Sequence, residues 1–156
     1  MQIIQQDMLE LRSGVLFHQV NCEGFMGGGI ARALADKYPS LEEKYRDFCD
    51  STRREGDDRT LLGKVQLVQI NYDLSICNVF GQVNTSSSSR QTSYDGTVQA
   101  FERIVHARER YTHSTFARLP LYFPYKMGCG LGGGNWNIYS AIIGEFFPDA
   151  IICKHE

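Results

Sequence analysis

Apolar and polar residues recur with two different periods along the chain, and the switches between them mark the predicted elements. Alternating or short apolar runs predict strands, whereas apolar residues three or four positions apart predict amphipathic helices. The predicted strands cover residues 2–6, 15–20, 64–70, 74–80, 116–123 and 149–153. The predicted helices cover residues 28–38, 41–50, 94–110 and 136–147. Because strands and helices alternate, we expect an α/β fold with a mixed sheet covered on both faces.

Local signals set several of these boundaries. Pro39 disfavours helical geometry at the residue before it. Ser40 and Glu43 have the spacing of a capping box at the start of the second helix. The strands at 64–70 and 74–80 are joined by a short polar turn, which predicts a hairpin. The length of 156 residues and an apolar fraction of 42% fit a single domain over residues 1–156.

Charge and cysteine content exclude several classes of protein. A net charge of -2 argues against a broad basic surface for nucleic acid. No apolar run approaches the roughly 18 residues of a membrane span. An ordinary signal peptide is not expected, because the N-terminal residues include Gln2, Gln5, Gln6 and Asp7. The five cysteines lack metal-ligand spacing, so we expect free thiols, no bound metal and no cofactor. These features predict a cytoplasmic protein without membrane attachment, and we also expect a monomer.

Two glycine-rich stretches carry the main functional signal. Residues 21–32 and residues 128–134 each separate a predicted strand from a predicted helix. Glycines let the backbone approach a ligand closely, and the first N–H groups of a helix have no partner within the helix. This arrangement binds phosphate, and ligands of open α/β sheets lie beyond the carboxyl ends of the strands. The pair of loops therefore predicts a site that holds a diphosphate from both sides.

The residues of these two loops resemble a known family. The stretches 20–31 (VNCEGFMGGGIA) and 124–136 (PYKMGCGLGGGNW) are similar to the two motifs of macrodomains, which bind ADP-ribose. The order of elements agrees over nearly the whole chain. The resemblance implies a three-layer α/β/α sandwich with a mixed central sheet. It is strongest to a subgroup with ADP-ribose 1″-phosphate phosphatases, terminal ADP-ribose protein glycohydrolase and antitoxins that remove ADP-ribose from DNA.

The resemblance also implies which residues bind the ligand. Asp7 would accept a hydrogen bond from the adenine amino group, with the backbone N–H of Met8 beside it. Asn21 would lie near the distal ribose. The other implied contacts lie in the two phosphate loops: Gly27, Gly28, Gly29 and Ile30 in the first, and Met127, Gly128, Cys129, Gly130, Leu131 and Gly132 in the second.

Two departures from the glycohydrolase branch bear on the reaction. That branch uses a lysine in the polar loop that corresponds to residues 81–93, and this loop contains no lysine here. That branch also has an aspartate immediately after the Gly-Cys-Gly-Leu run, where this chain has Gly132. A route in which an amine attacks the distal ribose is therefore not indicated.

The phosphatase branch supplies other candidates for catalysis. It has a histidine just before the asparagine motif, which His18 matches, and polar residues before the long helix, where Asn84 and Asp95 lie. A histidine and a carboxylate could orient water and protonate the leaving alcohol. His18 could equally be a hydrogen-bonded strand residue, and Asp95 a first-turn helix acid. His18 and Asn21 converge only if the strand ends or bulges by Val20.

Three functions remain open from the sequence. The first is a phosphatase that acts on ADP-ribose 1″-phosphate, favoured by His18 and by the absent lysine. The second is a hydrolase that removes ADP-ribose from modified protein or nucleic acid. The third is a reader that binds ADP-ribose without chemistry. The expected partner in each case is ADP-ribose or its 1″-phosphate, and nucleic acid enters only as an ADP-ribosylated substrate.

Overall fold

The computed structural model describes residues 1–85 and 89–155. Its strands are β1 (Gln2–Gln5), β2 (Gly14–Val20), β3 (Val65–Gln69), β4 (Leu74–Phe80), β5 (Leu121–Pro124) and β6 (Ile151–Lys154). Its α-helices are α1 (Gly29–Lys37), α2 (Pro39–Thr52), α3 (Tyr94–Arg110), α4 (Thr115–Arg118) and α5 (Trp136–Phe146). Short 3-10 turns cover Met8–Glu10 and Asp58–Leu61. Residues 86–88 of the predicted polar loop lie outside the described part.

The described strands form one mixed sheet in the order β1-β6-β5-β2-β4-β3. Five strands run parallel to one another: β1, β6, β5, β2 and β4. Strand β3 runs antiparallel to β4. The β3–β4 pairing confirms the predicted hairpin, with Leu67 opposite Cys77. The carboxyl ends of the five parallel strands therefore share one edge of the sheet. Among the described helices, none combines the length and the apolar character needed to cross a membrane.

Alternation along the central strands separates two cores. Leu16 of β2 and Ile76 of β4 belong to the core under α1 and α2. Phe17 and Cys77, one position further along, belong to the core under α3 and α5, where the rings of Phe17 and Phe123 stack 4.2 Å apart. Because a side-chain period of two covers both faces with apolar groups, the sheet lies between two helical layers. This confirms the predicted three-layer α/β/α sandwich.

Two local predictions are wrong. Residues 116–118 were expected in a strand but belong to α4, where the Ser114 hydroxyl accepts the N–H of Ala117 and so caps the turn. The predicted capping box does not form, because α2 begins at Pro39, one residue before the expected cap. Proline suits the first helical position, since its missing N–H would have no partner there.

His18 lies in the core and not at a strand end. Its imidazole Nε2 is 2.5 Å from the side-chain Oδ1 of Asn78 on β4. The Asn78 amide donates to Gln66 on β3 at 3.0 Å, and the Gln66 amide donates to the carbonyl of Lys44 in α2 at 3.1 Å. This chain of hydrogen bonds ties three strands to α2. β2 runs regularly to Val20 and His18 is fully buried, which agrees with the alternative that His18 is a hydrogen-bonded strand residue.

The network also fixes the tautomer of His18. Asn78 uses its NH₂ group toward Gln66, so its Oδ1 is the acceptor and the histidine Nε2 carries the proton. Nδ1 has no hydrogen-bond partner among the described residues. Burial without a neighbouring carboxylate lowers the pKa of His18 to about 4. The imidazole is therefore neutral at pH 7.

This pKa predicts an acid-sensitive contribution to stability. The unfolded chain, with an ordinary histidine pKa of about 6.5, binds the proton more readily than the folded chain. The contribution of neutral His18 to the free energy of unfolding is therefore fully present above pH 6.5. It is lost as the pH falls toward 4, by about 3 kcal/mol in total. Urea unfolding at pH 7.0 and 4.5 measures this loss. Between these pH values His18→Gln, which retains the other three histidines, should lose less free energy of unfolding than the parent protein. Equal losses in the two proteins would contradict the account.

Candidate functional site

A cleft of about 410 Å³ opens at the carboxyl edge of the parallel strands. It lies beyond the ends of β2, β4 and β5, and both glycine loops line it. Its volume lies within the range of about 300–1,000 Å³ that is typical of small-molecule sites. The sequence therefore predicted the correct edge of the sheet.

The first loop, residues 21–28, is shaped by Asn21 and Tyr45. The Asn21 side chain accepts the N–H of Glu23 at 2.9 Å and donates to the carbonyl of Phe25 at 2.8 Å. The hydroxyl of Tyr45, from α2, donates to Asn21 at 2.7 Å and accepts the N–H of Gly24 at 3.2 Å. Burial raises the pKa of Tyr45, so the hydroxyl keeps its proton and remains a donor. The loop is thus supported from behind, on the side away from the cleft.

The same loop leaves backbone donors free at the start of α1. Glu42 accepts the N–H of Met26 at 2.9 Å, and Arg32 donates to the Met26 carbonyl at 3.0 Å. The N–H groups of residues 27–31 have no acceptor within the described residues. Gly28 is the N-cap of α1 and offers no side-chain oxygen to these donors. Free N–H groups at a helix N-terminus attract anions, so this end of the cleft suits a phosphate.

The second loop, residues 127–134, is held by the segment before α3. The hydroxyl of Thr92 donates to the Gly128 carbonyl at 2.6 Å. The N–H groups of Gln91 and Thr92 both donate to the Gly132 carbonyl, at 2.8 and 2.9 Å. Gly128 has a φ of 73°, a conformation that favours glycine. The polar loop and the second glycine loop therefore form one connected wall.

The two loops approach each other across the cleft. A Cβ on Gly28 would lie 3.0 Å from the Cδ1 atom of Leu131, which is 67% exposed. A Cβ on Gly27 would clash with the ring of Phe25, at 2.2 Å. A side chain at either glycine would have to displace these neighbours. The two glycine loops therefore lie on opposite sides of one cleft.

Sequence reasoning missed Gln19 on the floor of the cleft. Its amide nitrogen donates to Gln82 at 2.8 Å and to Thr92 at 2.9 Å, and its oxygen accepts the hydroxyl of Tyr139 at 3.1 Å. Burial raises the pKa of Tyr139, which keeps this hydroxyl protonated. One signal was present in the sequence: Gln19 and His18 are the polar residues of a strand that is otherwise apolar.

Most of the predicted ligand-binding residues lie together around this cleft. Lining residues among them are Asn21, Gly27, Gly28, Gly29, Ile30, Met127, Gly128, Gly130, Leu131 and Gly132. Cys129 is not among the lining residues, and its thiol donates to the Met127 carbonyl at 3.2 Å.

The residues predicted to contact adenine lie at the same sheet edge but outside the lining of the cleft. Asp7 follows β1 and caps a 3-10 turn by accepting the N–H of Leu9 at 2.9 Å. Its other oxygen is 3.7 Å from the imidazole of His155. Met8 is buried in the core, so only its backbone remains a candidate for ligand contact.

The predicted catalytic residues do not converge. His18 is buried away from the cleft, and Asp95 is exposed in the first turn of α3. Asn84 is exposed, and its carbonyl accepts the side-chain amide of the lining residue Gln82 at 2.8 Å. Of the three, Asn84 alone is joined to the cleft by a hydrogen bond within the described residues.

Comparison with other proteins identifies the fold. No protein-family model matches the chain. A solved structure from Bacteroides thetaiotaomicron, of unknown function, has a TM-score of 0.79 and 26% identity, and the match covers 99% of this chain and 96% of that one. The macrodomain of Mycobacterium tuberculosis DarG has a TM-score of 0.72 at 20% identity, with 98% and 96% covered. The chain has the macrodomain fold. This confirms the resemblance of the two glycine motifs.

Other similar proteins have a described ligand or activity. Thermosipho africanus DarTG in complex with ADP-ribose has a TM-score of 0.75 at 20% identity, covering 99% of this chain and 41% of that one. An ADP-ribose 1″-phosphate phosphatase of Saccharomyces cerevisiae is 35% identical over 99 residues, covering 61% of this chain and 53% of the relative. A Candida glabrata protein of the same description is 29% identical over 98 residues, with 58% and 52% covered. The chain spans about half the length of these curated relatives.

The packing of the second loop predicts unequal effects of two alanine substitutions. A Cβ on Gly132 would lie 2.4 Å from the Thr92 hydroxyl and 2.9 Å from the Gly128 carbonyl, whereas a Cβ on Gly130 meets nothing within 4 Å. We expect Gly132→Ala to destabilise the fold by about 1–3 kcal/mol through overpacking. The free energy of unfolding of Gly130→Ala should stay within about 0.5 kcal/mol of that of the parent protein. Urea unfolding measures both, and equal costs would contradict the described packing.

Proposed function

We propose that this macrodomain binds ADP-ribose 1″-phosphate in the cleft and releases its phosphate by hydrolysis. The observation that carries the proposal is the pair of glycine loops that face each other at Gly28 and Leu131. Backbone donors at the start of α1 suit an anion held between the loops. The yeast relatives described as ADP-ribose 1″-phosphate phosphatases support this substrate over other diphosphates.

The order of the strands supports one direction for the ligand. Asp7 follows β1 at one end of the sheet, the glycine loops follow β2 and β5, and Gln82 follows β4. If adenine lies toward Asp7, the diphosphate lies between the loops and the distal ribose reaches Asn21 and the β4 end. The 1″-phosphate would then lie beside the segment that begins at Gln82.

The charge of the cleft also suits this substrate. Lys126 is the one charged side chain among the described lining residues, and no lining carboxylate is present among them. A lone ammonium group at the rim attracts phosphate as a point charge. A cleft of this charge favours a ligand with several phosphate groups.

The proposed chemistry uses positioning and not a lysine nucleophile. Residues 81–93 contain no lysine, and Gly132 has no room for a side chain because Thr92 and Gly128 block its Cβ direction. The loops would fix the distal ribose so that water attacks the phosphorus of the 1″-phosphate. The bond from this phosphorus to the ribose oxygen then breaks, and the ribose leaves with that oxygen. Gln82 and Thr85 line the β4 end of the cleft, where this water would act, and Asn84 is hydrogen-bonded to Gln82. His18 is outside the cleft, so we assign it no step.

Phosphate release and ligand binding test the proposal together. We expect purified protein to release inorganic phosphate from ADP-ribose 1″-phosphate and to bind ADP-ribose by calorimetry. Lys126→Met should weaken ADP-ribose binding about 3- to 10-fold, since it removes one partly screened charge beside the diphosphate. Lys44→Met removes an equal charge from an exposed site on α2, away from the cleft, and should change the affinity less than about twofold.

The two readouts separate the candidate functions. Binding without phosphate release, and without release of ADP-ribose from a modified protein or nucleic acid, would indicate a reader. Release of ADP-ribose from such a conjugate, with no phosphatase activity, would favour a glycohydrolase. Failure to bind ADP-ribose at millimolar concentration would contradict the proposed site itself.

A further inference from the structure

An uncharged hydrogen-bonded cluster closes the β4 end of the cleft. Gln82 follows β4, and its side-chain oxygen accepts the Gln19 amide at 2.8 Å while its nitrogen donates to the Asn84 carbonyl at 2.8 Å. Thr92 accepts the second proton of the Gln19 amide at 2.9 Å. We call Gln19, Gln82 and Thr92 the amide cluster. All of its side chains are neutral at every ordinary pH.

Hydrogen bonds to Tyr139 and to the Gly128 carbonyl fix the amide cluster in place. Both amide protons of Gln19 are donated, and its oxygen accepts the buried Tyr139 hydroxyl at 3.1 Å. Thr92 passes its own proton to the Gly128 carbonyl at 2.6 Å. Reversing Gln19 would place its oxygen against the Gln82 oxygen, and reversing Gln82 would place its oxygen against the Asn84 carbonyl, so each side chain has one orientation. Gln82 therefore presents a fixed, neutral surface to the cleft.

Packing keeps charge away from the amide cluster as well. A Cβ on Gly81 would lie 2.5 Å from the Gln19 oxygen, and a Cβ on Gly132 would lie 3.1 Å from the Gln19 nitrogen. These glycines leave no space for longer side chains next to the cluster. A carboxylate at this position would repel a phosphate in a site partly screened from water. Because the amide cluster is neutral, it does not repel a phosphate in this way.

We propose that Gln82, oriented by Gln19 and Thr92, is a specificity-determining residue that admits a phosphate group at the distal ribose. The inference rests on the proposed function, because it assumes that the distal ribose lies at the β4 end. It adds a reason why a phosphorylated ligand is accepted there: the described side chains at this end of the cleft carry no negative charge that would repel the phosphate. Specificity of this kind is a difference between two affinities, and it is measured as their ratio.

A matched pair of variants tests the proposal. Gln82→Glu keeps the shape and the acceptor for Gln19 but adds a negative charge, whereas Gln82→Met keeps the length without charge. Both lose the donor to the Asn84 carbonyl, and Gln82→Met also loses the acceptor for Gln19, so the uncharged variant controls for damage to the loop. The measured quantity is the Kd for ADP-ribose 1″-phosphate divided by the Kd for ADP-ribose. Stopped-flow fluorescence of the single tryptophan, Trp136, records binding before turnover; its ring lies 5.3 Å from that of the lining residue Tyr125.

The proposal predicts that Gln82→Glu raises this ratio about tenfold over the parent, as expected for repulsion between a carboxylate and a nearby phosphate. Gln82→Met should raise it less than about threefold, and the excess in Gln82→Glu should shrink as ionic strength rises from about 0.05 to about 0.5 M. Equal ratios in the two variants, or an excess that salt does not change, would overturn the inference while the proposed function stands. Failure of the parent protein to bind either ligand would overturn both.

Discussion

Two hydrogen-bonding side chains behind the cleft hold the glycine loops on which the site depends. Tyr45 reaches the first loop from α2, and Gln19 reaches the second loop through Thr92. Glycine-rich segments have high conformational entropy and fix few contacts of their own. Each loop therefore takes its shape from a polar group of the scaffold. The glycines leave backbone exposed to the cleft, and the N–H groups of residues 27–31 have no acceptor among the described residues.

The topology of the sheet explains why these supports meet at one site. Five parallel strands end at the same edge, so loops that are distant in sequence become neighbours there. The segment after β2 and the segment after β5 flank a single strand pair, and Gly28 and Leu131 come within contact distance. The β4 end adds Gln82 and Thr85 to the same cleft. Binding groups from three strand ends can therefore act on one elongated ligand.

Much of the architecture was predictable because it follows from periodicity and from glycine. The strand at Leu74–Phe80 and the helix at Tyr94–Arg110 have the predicted bounds, since their apolar patterns are long and uninterrupted. The segment that became α4 was not predictable in this way. A four-residue turn carries too few apolar positions to show a period, and its cap depends on Ser114.

The side chains of the site were harder to predict than its loops. A motif places His18 near Asn21 in sequence, but a regular strand turns it toward the α2 side, where Asn78 satisfies it. The same alternation brings Gln19 to the cleft, although no motif marked it. Their roles depend on partners about 60 or more positions away, such as Asn78 and Thr92. Such pairings are properties of the folded sheet and have no local signature.

A structure of the complex with ADP-ribose tests the central claim most directly. The account predicts that the diphosphate oxygens lie about 3 Å from backbone nitrogens of residues 27–31 and 128–132, the distance of an N–H···O hydrogen bond. It also predicts adenine toward Asp7 and the distal ribose toward Asn21 and Gln82. A diphosphate bound elsewhere on the protein, or one held in the cleft without contact to either glycine loop, would contradict it.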